Sequence, residues 1–156
     1  MNAIDLLMQD HVRVKDLLSQ LAESTERAIK KRTDLLNKLE MELTVHTQLE
    51  EAILYPAFKE AGDKEQAIMY YEAKEEHRTV DSLVVPDLKK TDPSQPEFAG
   101  RVKVCKELLE HHIEEEESEM FPQAKKLLGK AKLDELGAQM EAMRAEMKKS
   151  MSLKAA

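Results

Sequence analysis

Histidine and glutamate recur in this chain at a spacing that metal chemistry can use. The segments HTQLEEAILYP (residues 46–56) and HIEEEESEMFP (residues 112–122) share a His, two Glu and a final aromatic-Pro in one register. They lie 66 positions apart, and the same offset carries His11 onto His77, Glu50 onto Glu116 and Pro56 onto Pro122. Four of the five histidines pair off, leaving His111 over, and His11 stands 35 residues before His46 as His77 stands 35 before His112. Such a repeat reads as two similar helical hairpins related by approximate two-fold symmetry.

His46 with Glu50, and His112 with Glu116, stand at i and i+4, one turn apart on a single helical face. Both side chains then reach a common point in a bundle interior, and the first helix of each hairpin adds His11 or His77. Four imidazoles and two carboxylates are more than one ion can take and still react. Two ions, each with about two His and sharing two bridging carboxylates, use the whole set, and such donors suit iron, zinc or manganese better than calcium or magnesium. Blander readings exist for every piece. An HxxxE in a helix is often only a side-chain pair, a lone His on an apolar face is usually a core or surface residue, and Glu114–Glu117 with Glu119 reads as a solvated acidic run. The shared register favours the metal reading for Glu50 and Glu116 and leaves Glu114 and Glu119 to solvent.

His111 with Glu115 offers a competing HxxxE. The offset and the distance to the aromatic-Pro select His112 and Glu116, placing His111 roughly 100° round the helix, toward the rim. Leu108 and Leu109, one turn before His112, support its inward face. In the doublets Glu50-Glu51 and Glu116-Glu117, i+4 selects the first member, and Glu51 and Glu117 are expected to point away. Cys105, seven residues before His112 on the same face, reads as an inert core thiol rather than a ligand.

The elements that must position these groups are helical. Gly and Pro number only nine, and they punctuate the chain into helices over about 2–26, 33–54, 64–85 and 98–120. Pro56 and Gly62 interrupt the second, Pro86 kinks or stops the third, TDPSQPE (Thr91–Glu97) is a loop, and Pro122 ends the fourth. The predicted fold is all-α: an up-down antiparallel four-helix bundle at residues 1–128, with a C-terminal amphipathic helix and tail at 129–156. In that last segment Leu133, Leu136, Met140, Met143, Met147 and Met151 form an apolar stripe. It is expected to pack on the chain's own bundle, with a second copy or another protein as the alternative, and to be dispensable for the metal.

Composition agrees and excludes much else. Of 156 residues, 42% are hydrophobic, enough for one core, and 35% are charged. A net charge of −7 argues against nucleic-acid or anionic-membrane binding. A single Cys excludes an internal disulfide or a Cys-rich zinc site. No apolar run approaches the roughly 20 residues of a membrane span. The start MNAIDLLMQDH lacks a signal peptide's basic and apolar regions, so a cytoplasmic location is expected. No Ser/His/Asp set, phosphate-cradling Gly loop or nucleotide fingerprint is visible.

The pattern His11…His46-xxx-Glu50…His77…His112-xxx-Glu116, with Tyr55-Pro56 and Phe121-Pro122 after the two HxxxE units, resembles the hemerythrin-like, or HHE cation-binding, domains over residues 4–128. The resemblance implies a four-helix bundle holding a non-haem di-iron centre, bridged by oxo, hydroxo or carboxylate groups, with those six residues as ligands. One position departs. Oxygen-carrying hemerythrins place an extra His four residues before the third-helix ligand, and here that residue is Ala73. The iron on that side lacks a nitrogen ligand, leaving water, Tyr70 or a nearby carboxylate to fill the place. The family's activities span oxygen binding, redox defence and iron or oxygen sensing. The expected function is therefore binding or sensing of oxygen or another small molecule at a di-iron centre. The alternatives are an enzyme removing peroxide or nitric oxide, an iron-homeostasis module, or a metal-free interaction bundle. A monomer or a homodimer fits equally.

Overall fold

The computed structural model describes residues 1–155, and among them all regular structure is helical. Helix α1 (Ala3–Glu23) is followed by α2 (Ile29–Leu49) and α3 (Tyr55–Ala61), then by α4 (Lys64–Thr79), α5 (Val85–Lys89), α6 (Pro96–Glu115) and α7 (Phe121–Ala155). Single π-helical turns join α2 to α3 (Glu50–Leu54), α4 to α5 (Val80–Val84) and α6 to α7 (Glu116–Met120). Among the described residues, no helix is long and apolar enough to cross a membrane.

The helix starts follow local chemistry. Asn2 caps α1 by accepting from the Asp5 amide at 2.9 Å. Asp63 and Gln66 form a reciprocal capping box on α4. Pro96 opens α6, where a missing N–H costs nothing. Helix α2 begins four residues earlier than its apolar pattern suggests. Arg32, in its first turn, is buried and donates to the Ser24 carbonyl and hydroxyl and to the Pro93 carbonyl, tying together two inter-helix loops.

Each of the three π turns ends two residues before a proline: Pro56, Pro86 and Pro122. Proline has no N–H to donate, and its ring crowds the carbonyl four residues back. The wider i→i+5 turn absorbs both problems without breaking the helix. Pro122 therefore does not end the fourth long helix, as expected from sequence. The chain continues helically to Gly129, where φ 77° and ψ 170° break the axis within α7. Only glycine adopts that conformation readily.

The buried apolar side chains form two clusters. One holds Ile4, Leu7, Leu49, Leu54, Tyr55, Phe58, Phe121, Leu133, Leu136 and Met140, among others. The other holds Val14, Leu18, Leu39, Val80, Phe98, Val102, Cys105 and Leu109. Helices α1 and α4 run from the first cluster to the second, and α2 and α6 run back, so neighbours are antiparallel in an up-down bundle. The second half of α7 returns along α1. Leu133, Leu136 and Met140 are buried in the first cluster, and Met143, Met147 and Met151 pack against it. A Cβ on Gly137 would collide with the backbone of Met1–Ala3, so glycine permits the closest approach of the two helices.

Candidate metal centre

Between the two apolar clusters lies a polar layer built by one residue or pair from each long helix. Asp10, His11, His46, Glu50, His77, His112 and Glu116 are all buried there, with Glu50 and Asp10 fully inaccessible. The HxxxE spacing works as geometry requires: His46 and Glu50 reach the same point, with Nε2 and Oε1 3.2 Å apart, and His112 and Glu116 do so at 3.3 Å. Across the bundle, His77 Nε2 comes within 3.1 Å of Glu50 Oε1, and His11 Nε2 within 3.2 Å of Glu116 Oε1. Each carboxylate thus stands between a His of its own helix and a His of the other hairpin.

Two groups of converging donors result, His11, His46, Glu50 and Glu116 on one side and Glu50, His77 and His112 on the other. In each group the donor atoms lie within 4.8 Å of one another. Donors about 2.1 Å from a common ion stand about 3 Å apart when adjacent and about 4.2 Å apart when opposite, so these spacings suit a cation. Hydrogen bonding does not account for them. Nε2 of His11 and His46, both oxygens of Glu50 and Oε1 of Glu116 are buried without a hydrogen-bond partner. Orphaned buried polar atoms are costly and rare, and five aimed at one interior fit a bound cation.

The other ring nitrogen of every layer histidine is held by a carboxylate. His46 Nδ1 meets Asp10 at 2.9 Å, and His112 Nδ1 meets Glu76 at 2.7 Å. His77 Nδ1 meets Glu51 at 2.9 Å, and His11 Nδ1 meets Glu117 at 2.7 Å. These four acids obey the same 66-residue offset, Asp10 onto Glu76 and Glu51 onto Glu117. Sequence reasoning stopped at the inner six and set Glu51 and Glu117 aside as pointing away. They do leave their own His, but each crosses to the His of the opposite hairpin. Fixing Nδ1 this way leaves Nε2 bare toward the interior.

The aromatic before each proline also has a place. Phe121 stacks on the His11 ring, with centroids 5.6 Å apart, and Tyr55, its repeat counterpart, stacks on His77 at 5.4 Å. Here the symmetry ends. The Tyr55 hydroxyl donates to Glu116 Oε2 at 2.5 Å and lies 3.3 Å from His77 Nε2 and 3.5 Å from His112 Nε2. It stands beside His77 and His112, in the half of the layer that also faces Ala73 one turn before His77. Tyr70, one of the three groups named for the place beside Ala73, packs edge-on against the Tyr55 ring.

Charge follows the geometry. Burial disfavours a charged imidazole, yet Glu50 and Asp10 beside His46 outweigh it and push the ring up to about 10. Burial likewise opposes charge on His77, but the carboxylates of Glu50 and Glu51 beside it push it up to about 9. His112 is raised despite burial by Glu116 and Glu76, and Glu116 is lowered despite burial by His112, His11 and its other neighbours. Burial and the nearby carboxylates raise the Tyr55 phenol. Outside the layer, His111 is exposed and pairs with Glu115 at 3.1 Å, Leu108 is exposed rather than inward, and burial pushes the Cys105 thiol up to about 12.

One contact comes from an unexpected direction. Arg144, on the returning half of α7, donates to both oxygens of Asp10, each at 2.9 Å. The C-terminal helix is therefore not remote from the layer, as its position in sequence suggested.

A helical bundle whose middle layer converges four imidazoles and two carboxylates is a cation-binding bundle by construction. Residues 2–124 match the Hemerythrin HHE cation binding domain, and the chain belongs to that family. The solved structure of a hemerythrin HHE cation binding domain-containing protein from Mycobacterium kansasii is similar, at 31% identity and a TM-score of 0.83, covering 99% of this chain and 91% of the other. An uncharacterized protein of Mycobacterium tuberculosis is 32% identical over 144 residues, which is 91% of this chain and 84% of the relative. A Nostoc protein named DNA nickase is 26% identical over 154 residues. The match spans 97% of this chain and only 41% of the Nostoc protein's length.

Proposed function

We propose that the chain holds two iron ions in this layer and binds oxygen or a related small molecule there. His11 and His46 would hold one ion, His77 and His112 the other, with Glu50 and Glu116 shared between them. The observation that carries this reading is the set of buried, unpartnered donor atoms, with Glu50 common to both groups. Zinc or manganese would suit the same donors. Two bound iron ions supply the redox chemistry that reversible capture of a diatomic molecule requires. The chain's own residues do the rest. Asp10, Glu51, Glu76 and Glu117 hold the four imidazoles with Nε2 inward, and the apolar clusters above and below keep bulk water out of the layer. Tyr55 holds a proton against Glu116 beside the His77 and His112 half.

A second reading, turnover of peroxide or nitric oxide, is favoured by that phenol, a proton donor at the His77 and His112 half of the layer. Nicking of DNA, raised by the Nostoc name, fits poorly with a net charge of −7 and concerns a protein most of which this chain does not span. Optical spectra of iron-loaded protein separate the readings. Binding predicts a charge-transfer band that appears in air and disappears on deoxygenation. Steady consumption of peroxide or nitric oxide, lost in His77→Ala, favours the enzyme, and a spectrum indifferent to oxygen, nitric oxide and peroxide removes both.

A further inference from the structure

We propose that Arg144 is a positioning residue for the half of the centre formed by His11 and His46, so that the C-terminal helix is part of the metal site. Asp10 is fully buried, and an ionised carboxylate there is costly without cations beside it. It accepts two hydrogen bonds from Arg144, a third contact from the half-exposed Arg13, and gives its remaining capacity to His46 Nδ1 at 2.9 Å. The chain Arg144–Asp10–His46 thus runs from the α7 surface to a ring whose Nε2 is bare in the interior.

The repeat supplies an internal comparison. Glu76, the counterpart of Asp10, holds His112 in the same way, but its surroundings are His111 and Glu115 at the bundle surface. No arginine reaches it among the described residues. One half of the centre is therefore held by a buried, charge-neutralised acid and the other by an accessible one. The register of α7 makes this specific. Gly137 lies against Met1–Ala3, and Arg144, seven residues on, lies against Asp10, seven residues after Ala3, so the two helices run side by side in step. A shift of one residue would swing the guanidinium away.

This inference rests on the reading of the layer as a two-ion site, and the test separates the two. The full chain is loaded anaerobically with ferrous ion, and the content and the rate of release of each ion to a chelator are measured for wild type, R144L, R144K, D10N and D10N/R144L. Circular dichroism of the metal-free forms monitors the fold. Removing a group that orients a metal-ligating imidazole costs roughly ten- to a hundredfold in affinity. One of the two ions should leave R144L about tenfold faster, by the lower end of that range, while the other leaves at the wild-type rate. R144K should fall between, because a lysine keeps the charge but replaces the planar guanidinium, whose Nη2 meets both Asp10 oxygens, with a shorter-reaching, more strongly hydrated ammonium. If R144L loses its helical signal, R144K alone decides: wild-type release rates for both ions would overturn the proposal. D10N/R144L should release iron no faster than D10N, since the arginine acts only through Asp10. Losses that multiply in the double variant, or unchanged release in R144L, would equally overturn it. A wild-type chain that takes up no iron would instead remove the two-ion reading itself.

Discussion

The members of each glutamate doublet do different work, although they are adjacent in sequence. Glu50 and Glu116 aim into the layer, whereas Glu51 and Glu117 hold His77 and His11 by their outer nitrogens. Glu50→Ala or Glu116→Ala should abolish binding of both ions, because each carboxylate serves both halves. Glu51→Gln or Glu117→Gln should keep the ions with affinity lowered about ten- to a hundredfold, the usual cost of losing a group that orients an imidazole, as read by chelator competition. Tyr55→Phe makes the aromatic positions of the two halves alike, since Phe121 already occupies the matching place. It leaves a Glu116 oxygen without its donor, and should lower the melting free energy of the metal-free protein by about 1.5–3 kcal/mol while preserving the fold by circular dichroism. The convergence of the inner six residues was legible in sequence because i, i+4 spacing puts His and Glu on one face, and the repeat set aside His111, Glu114 and Glu119. The outer acids obeyed the same offset, but Asp10 and Glu76 differ in type, and the doublets looked like a solvated run. Tyr55 was overlooked because its partner in the repeat is a phenylalanine with no chemistry to notice.

At the scale of elements, the four long helices and their antiparallel order follow from punctuation and apolar spacing. The starts of α2 and α6 and the passage through Pro122 do not. Arg32 anchors α2 by bonds to two loops distant in sequence, and the three prolines are absorbed by π turns that a hydropathy pattern does not register. Two of these turns begin at Glu50 and Glu116, so the local widening of the helix falls there at the carboxylates that enter the layer. The pairing of α7 with α1 depends on a glycine whose absent side chain is the point. Gly137→Ala should destabilise the protein by about 1–3 kcal/mol, as overpacking against backbone does, and Gly100→Ala, where nothing lies near the added carbon, should not. Thermal melts of the two variants side by side check this, and equal melting temperatures would mean that α7 does not sit where it is described.

Across the whole molecule, two apolar clusters enclose a layer that protons or metal ions must neutralise. In the metal-free protein His46 and His77 are raised from an ordinary 6.5 to about 10 and about 9, so their contribution to stability is complete below about pH 6.5 and is lost as pH rises through 9 to 10. Asp10 is lowered from 3.8 to about 2, and its contribution is present above about pH 4 and lost as pH falls through 2. The metal-free melting temperature should therefore decline as pH rises from about 6.5 to about 10, and level off above that. Metal ions replace those protons on Nε2, so uptake near neutral pH should release protons and tighten with rising pH, a sign that calorimetry in buffers of different ionisation enthalpy reads directly. The most direct test of the central claim is the metal content of the wild-type chain after anaerobic reconstitution with ferrous ion and removal of the excess. Two iron ions per chain, falling to none in Glu50→Ala and remaining two in His111→Ala, is the predicted result. One ion per chain or none in the wild type, or two ions retained in Glu50→Ala, would contradict it.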